Sequence, residues 1–424
     1  MYKIKTYKNG LRVLVNEDNA NEAVNVLFVL LAGGKDEDDS CRGVAHLAEH
    51  MFFKGTTNRT GKEMLFDFDR EGIIYDAYTS QDLTCFYAEA MPNKTEKIID
   101  VFSDCFFNAN YPKVELETEK QAVCSELEME FDDSKSYVES KAAEIALVGT
   151  PYQYELGGTV KSVNKLSSKD LLRFRDKFYT PDRLIISVCG KVTQKEIEEL
   201  VQKYILPKCS TQEKEPIEYS ELDSKIVLKN RQSFVCRDTD QYYCCVAFKP
   251  FCECSPDRLK FRVMMTSLGS TMSSRLFQKL RYERGLAYAV YSFCSNKLLS
   301  LNGAMFYTNI TKAREAVEVL AKTLRELHTD GFTTEELEIA KNSLKSNFAL
   351  ALTTQYAKAR FGALSLVYQH KMFNLAEVLS EIDKITLTDM NEMFNKYFRV
   401  EDMTVSIVSN QQTFDAYQIL SETL

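Results

Sequence analysis

The chain has 424 residues, 45% of them hydrophobic and 27% charged, with a formal net charge of −8 at pH 7. That charge is spread along the chain without basic stripes, which excludes a nucleic-acid binder. A content of 26 Phe and 22 Tyr with no low-complexity tract excludes a disordered protein, and the length calls for two or more domains.

The opening stretch MYKIKTYKNGLRVLVNED reads as strand, turn and strand, with Asn9-Gly10 as the hairpin signal. It has neither the apolar segment nor the small-residue cleavage site of a signal peptide. No stretch approaches the roughly 20 apolar residues of a membrane span. A cytoplasmic location with no membrane partner is therefore expected, and the 12 cysteines are expected to be reduced thiols. Cys244, Cys245, Cys252 and Cys254 lie close together without a standard zinc spacing and are read as buried thiols.

A further strand in AVNVLFVLLAGG (23–34) leads to a helical stretch from about Gly43. The segment YDAYTSQDLTCFYAEA (75–90) alternates as strands do, and helical patterns follow over Thr95–Asn108 and Lys113–Val148. SSKDLLRFRDKFY (167–179) begins with serine and an acidic first turn, good capping chemistry for another helix. DRLIISVCG (182–190) reads as a buried strand. The fold class is α+β, with mostly antiparallel sheets packed against long helices.

The chain then repeats itself. Residues 166–190 align with 385–409 at a shift of 219, acid on acid at Asp170 and Asp389. Residues 116–129 align with 337–350 at a shift of 221, and the same shift lays HLAEHM (46–51) on SLGSTM (267–272). Two homologous halves are expected: a domain at 1–210, a linker at 211–222 within a charged, Pro-bearing stretch, and a second domain at 223–424. At this shift His46 falls on Ser267, Glu49 on Ser270, His50 on Thr271 and Glu126 on Asn347. One half carries the chemistry and the other has lost it.

HLAEH uses two of the four histidines in the chain. Four residues apart on a helix, His46 and His50 share one face, so two neutral imidazoles can point at a single zinc ion. Glu49 beside them suits proton abstraction from an attacking water. The pattern H-x-x-E-H reverses the usual zinc-protease helix. The rival reading, two helical histidines paired with carboxylates, fits poorly with so few histidines. Two histidines do not complete a catalytic zinc site; a third protein ligand is needed. The helix ELETEKQAVCSELEMEFDD (115–133) is crowded with candidates, Glu119 and Glu126 among them on one stripe, and physical reasoning leaves the choice between them open. Met51, Phe52 and Phe53 read as core packing against the site helix.

RGVAHLAEHMFFKGTTNRTGKEM (42–64) closely resembles the core motif of the pitrilysin/insulinase superfamily of zinc metallopeptidases, nearest to mitochondrial processing peptidase and related bacterial two-domain peptidases. NGLRVLV, RFRDKFYTPDRLIISVCGKV (173–192) and SSRLFQKLRYERGLAYAVYS (273–292) extend the likeness over essentially the whole chain. The resemblance implies one Zn²⁺ per chain held by His46, His50 and Glu126, with Glu49 catalytic and Glu119 supporting the site. It implies that Arg281 and Tyr288 reach the substrate and stabilise a developing oxyanion. It also implies a substrate-binding edge strand at Asp76, Ala77 and Thr79, where Asp76 departs from the family's usual asparagine. The two halves would form half of a clamshell, closed by a homodimer or by a heterodimer with a related chain, around peptide substrates. Activity only beside a second, non-identical chain, or a non-catalytic structural role, are the alternatives.

Overall fold

A computed structural model describes residues 2–20, 22–210, 212–220 and 231–424; residues 211, 221 and 222 of the expected linker lie outside the described residues. The strands are β1 (Tyr2–Thr6), β2 (Arg12–Glu17), β3 (Val24–Leu30), β4 (Ile74–Thr79), β5 (Thr84–Ala90), β6 (Leu184–Gly190), β7 (Gln232–Cys236), β8 (Gln241–Ala247), β9 (Ala289–Cys294), β10 (Asn302–Asn309) and β11 (Thr404–Ser409). They form two sheets, ordered β1-β2-β6-β3-β5-β4 and β7-β11-β8-β10-β9. Among the described residues, only β2–β6 and β7–β11 pair in parallel. The fold is therefore α+β in two mostly antiparallel halves, as the repeat implies.

In the six-stranded sheet, central strands β3 and β6 are buried along their whole length, which matches their continuous apolar runs. On one face Phe28 of β3 meets Phe102 of the helix Thr95–Asn108 at 5.5 Å. On the other, Ser187, paired with Leu27, donates a 2.8 Å hydrogen bond to the carbonyl of Ala359. Strand β4 closes the sheet and pairs with β5 alone, so its outer edge carries no strand among the described residues.

Ala359 belongs to the second half of the sequence, and its place reveals how the halves are built. One compact unit comprises Met1–Glu128, Glu155–Tyr219 and Ala351–Phe373; the other comprises Met129–Tyr154, Ser220–Leu350 and Asn374–Leu424. Within the first unit the helix Gln355–Gln369 packs on β2, β3 and β6. Within the second, the helix Ser134–Ala146 packs on β7, β8 and β11. These two helices start 221 residues apart, the shift of the internal repeat, so each half lends its equivalent helix to the sheet of the other.

The helical pattern over 113–148 divides for this reason. Lys113–Asp132 and Ser134–Ala146 are separate helices, and the Asp133 side chain caps the second by accepting from the backbone of Lys135 and Ser136 at 3.2 Å. The cysteines all stand as free thiols; Cys244, Cys245 and Cys252 are buried, Cys254 partly so. No helix among the described residues is long and apolar enough to cross a membrane.

A fragment of residues 1–210 lacks the helix Gln355–Gln369 and leaves one face of its sheet uncovered. It is expected to aggregate or bind the dye ANS strongly, and co-expression with residues 211–424 is expected to restore a soluble, dye-silent species. A monomeric, cooperatively melting 1–210 fragment would show that the exchanged helix is dispensable.

Candidate active site

The helix Val44–His50 is only seven residues long, below the length at which a helix holds itself in water. Its backbone enters through Gly43 at φ 91°, and a side chain there would also press on the carbonyl of Gly157 at 2.4 Å. The cap comes from outside the helix: buried Glu37 accepts from the backbone N–H of Gly43 at 2.9 Å and of Ala45 at 2.8 Å. Val44, Ala45, Leu47 and Ala48 are fully buried. Phe52, just beyond, stacks on Phe86 of β5 with ring centroids 3.6 Å apart. Met51 and Phe52 are core as expected, whereas Phe53 is only partly buried and helps to line a cleft.

This anchoring turns His46 and His50 toward one point. Their Nε2 atoms are 3.3 Å apart, and Glu126 Oε2 lies 3.9 Å from the first and 3.4 Å from the second. One donor atom from each of the three side chains lies within 4.8 Å of the others, the single such group among the described residues. Burial, and then the neighbouring His50, pull the His46 imidazole down to about 4, so it is neutral at pH 7. Its Nδ1 is buried without a hydrogen-bond partner among the described residues. Two imidazole nitrogens and a carboxylate facing each other without intervening donors fit a divalent cation with nitrogen and oxygen preference, and zinc above all.

Glu119 and Glu126 sit two turns apart on the helix Lys113–Asp132, with buried Val123 between them. They take different tasks. Glu119 Oε2 lies 3.3 Å from His50 Nδ1, and its Oε1 accepts from Lys54 Nζ at 2.6 Å. A carboxylate opposite Nδ1 holds the proton there and leaves the Nε2 lone pair for the cluster.

Glu49 Oε2 is 3.9 Å from His46 Nε2 and accepts from Thr79 Oγ1 at 3.2 Å. Burial raises the Glu49 carboxyl to about 7, with His50 and the Thr79 hydrogen bond opposing. Beside it lies a cleft of about 450 Å³ walled by Glu49, His50, Phe53, Lys54, Tyr75 and Ala77. Tyr75, Ala77 and Thr79 project from β4 on this side by strand alternation. Asp76 also borders the cleft, while its carboxylate turns to the other face: its Oδ1 accepts from the backbone of Ala77 at 2.8 Å and its Oδ2 from Tyr87 at 3.1 Å.

The structure thus brings together His46, Glu49, His50, Glu119, Glu126 and Thr79, with Ala77 on the cleft wall. Arg281 and Tyr288 lie in the other unit, both exposed, with the guanidinium carbon 5.6 Å from the Tyr288 ring centroid. Sequence reasoning did not find Glu37, Lys54 or the hydrogen bond from Thr79 to Glu49. Strand alternation was the one signal that could have placed Thr79 with Ala77.

The repeat-equivalent segment of the second unit is built differently. Thr266–Ser270 is a π-helical turn in which Ser270 Oγ lies 3.2 Å from Ser292 Oγ of β9. A side chain at Gly269 would stand 2.3 Å from the Ser292 nitrogen, so glycine lets this turn close directly on the strand. No cation-binding group remains there among the described residues.

Comparison with known proteins agrees with this asymmetry. The insulinase family (peptidase family M16) matches residues 12–160, and the peptidase M16 inactive domain matches residues 165–344. The chain is 28% identical over 417 residues to an uncharacterized zinc protease of Bacillus subtilis strain 168, covering 96% of this chain and 98% of that protein. It is 27% identical over 393 residues to an uncharacterized zinc protease of Mycobacterium leprae strain TN, covering 92% and 87%. A protease from Helicobacter pylori shares its fold with a TM-score of 0.86 at 23% identity, over 96% of this chain and 99% of that one.

Glu37 gives the site helix a pH signature. Burial raises its carboxyl from 4.5 to about 7, against the two backbone hydrogen bonds. The folded state therefore binds this proton more tightly than the unfolded chain, so the contribution is fully present below 4.5 and is lost as pH rises to about 7. In chelator-treated protein, the stability of wild type relative to Glu37→Gln is expected to fall across that interval and stay level on either side. A difference that grows with pH in denaturant titrations would overturn the assignment.

Proposed function

The chain belongs to the pitrilysin/insulinase superfamily of zinc metallopeptidases, and from that premise we propose that it is a zinc-dependent endopeptidase acting on peptides or unfolded segments. One observation carries the proposal: His46, His50 and Glu126 converge within 4.8 Å while the partly buried carboxylate of Glu49 stands beside them at the wall of a cleft. His46, His50 and Glu126 would hold one zinc ion. When bound, the ion supplies Lewis-acid polarisation of water and of the scissile carbonyl.

The protein's own side chains do the rest. Glu49 takes the proton of the attacking water and delivers it to the leaving amine, a pair of transfers that suits a carboxyl raised by burial to about 7. Glu119 fixes the ring and tautomer of His50, and Lys54 fixes Glu119. The open edge of β4 offers main-chain groups to an extended peptide, so Asp76, Ala77 and Thr79 lie along the substrate strand. Arg281 and Tyr288 are assigned the stabilisation of charge on the tetrahedral intermediate. Their pairing and exposure support this, as does the chemistry of a guanidinium and a phenol. The active species is proposed to be a homodimer in the cytoplasm.

The test is cleavage of a mixed set of unstructured peptides by the purified protein, with a chelator, with zinc restored, and with Glu49→Gln. Cleavage is expected to require zinc and to vanish in Glu49→Gln while zinc still binds. Absence of stoichiometric zinc would remove the site as drawn.

Glu119→Gln keeps the shape of the side chain and loses the charge opposite His50. Zinc affinity is expected to fall by about 10- to 100-fold, measured by competition with a chromogenic chelator. An unchanged affinity would assign Glu119 to packing alone.

A further inference from the structure

The edge strand β4 does more than line the cleft. Thr79, its last residue, makes the one hydrogen bond that the Glu49 carboxylate has among the described residues, and it makes it to Oε2. That same oxygen is the one 3.9 Å from His46 Nε2. One oxygen of the carboxylate is thereby tied on the side of His46, and no hydrogen bond among the described residues engages the other. Glu49 occupies the last turn of a seven-residue helix, where its own element offers little to fix a flexible side chain.

Thr79 can act as an anchor because its strand is held from behind. The neighbouring Tyr78 points to the opposite face, where its hydroxyl lies 3.3 Å from Arg360 Nε of the exchanged helix. Tyr87 of β5 packs on Tyr356 of that helix with ring centroids 4.6 Å apart. The turn after Thr79 is tied by Tyr368, which donates to the buried Asp82 carboxylate at 2.8 Å. Three side chains of the exchanged helix thus support the hairpin that carries the Thr79 hydroxyl.

We propose that Thr79 is a positioning residue for the reaction: its hydroxyl holds the Glu49 carboxylate in the orientation that accepts the water proton, and it does so from the strand to which the peptide adds. This rests on the zinc-peptidase reading. It assigns Thr79 to the proton acceptor in addition to the substrate strand, so that strand pairing by a peptide and alignment of the base depend on one backbone segment.

The test compares wild type with Thr79→Val, which keeps the shape and removes the donor, and Thr79→Ser, which keeps the donor. In the zinc-loaded full chain, Thr79→Val is expected to lower kcat by about 10- to 100-fold, with KM and zinc affinity unchanged. Thr79→Ser is expected to recover most of kcat. Crystal structures of the zinc-loaded wild type and Thr79→Val are expected to show Glu49 in one conformation in the first and in several in the second.

A raised KM with unaltered kcat would make Thr79 a substrate contact only and overturn the proposal. Equal loss in the valine and serine variants would overturn it too, as would a single Glu49 conformation in both crystal structures. Wild type that binds zinc yet cleaves nothing would count against the peptidase reading, and the crystallographic comparison would still decide the role of Thr79.

Discussion

The structure depends on holding two imidazoles and a carboxylate face to face on a helix too short to stand alone. Nothing in seven residues supplies the rigidity that such a convergence requires. It comes instead from the surroundings: a buried carboxylate at the helix N-terminus, a glycine that admits a crossing loop, a fully apolar inner face and an aromatic stack at the exit. Each is a local solution to the same problem. The long helix Lys113–Asp132 then approaches with Glu126 facing both imidazoles and Glu119 behind His50. The order of causes runs from packing to geometry to chemistry.

How much of this is legible in the sequence varies with the range of the interaction. H-x-x-E-H is legible because helix periodicity alone puts His46 and His50 on one face, and the hairpin at Asn9-Gly10 is legible because turn chemistry is local. The third member of the cluster is not: Glu119 and Glu126 are equivalent to any argument from periodicity, and only the meeting of two distant elements separates them. Glu37 is hidden for a similar reason, since nothing marks one acid among Asp36, Glu37, Asp38 and Asp39 as the buried one. The helix exchange is hidden most deeply. An apolar face states that a helix will be covered, but not by which of two homologous sheets.

The second half shows the same architecture without the cluster. Serines replace His46 and Glu49, and the equivalent helix relaxes into a π-helical turn. Gly269 allows the turn to lie against β9, where Ser270 and Ser292 meet at 3.2 Å. The exposed pair Arg281 and Tyr288 sits downstream on the same unit, so that surface is not chemically blank.

The exchanged helices also set a timetable for biosynthesis. The strands around the helix Val44–His50 emerge from the ribosome early, but the helix that covers their second face is not complete until Gln369 has been translated. For most of the time taken to make the chain, the N-terminal sheet has one apolar face without its native cover, a state in which nascent chains recruit chaperones. The hairpin bearing Thr79 likewise waits for Tyr356, Arg360 and Tyr368. A site assembled in this order stays incomplete until Gln369 has been made, and a chain terminated before that point carries His46, His50 and Glu126 without the cover that orders the strands beside them.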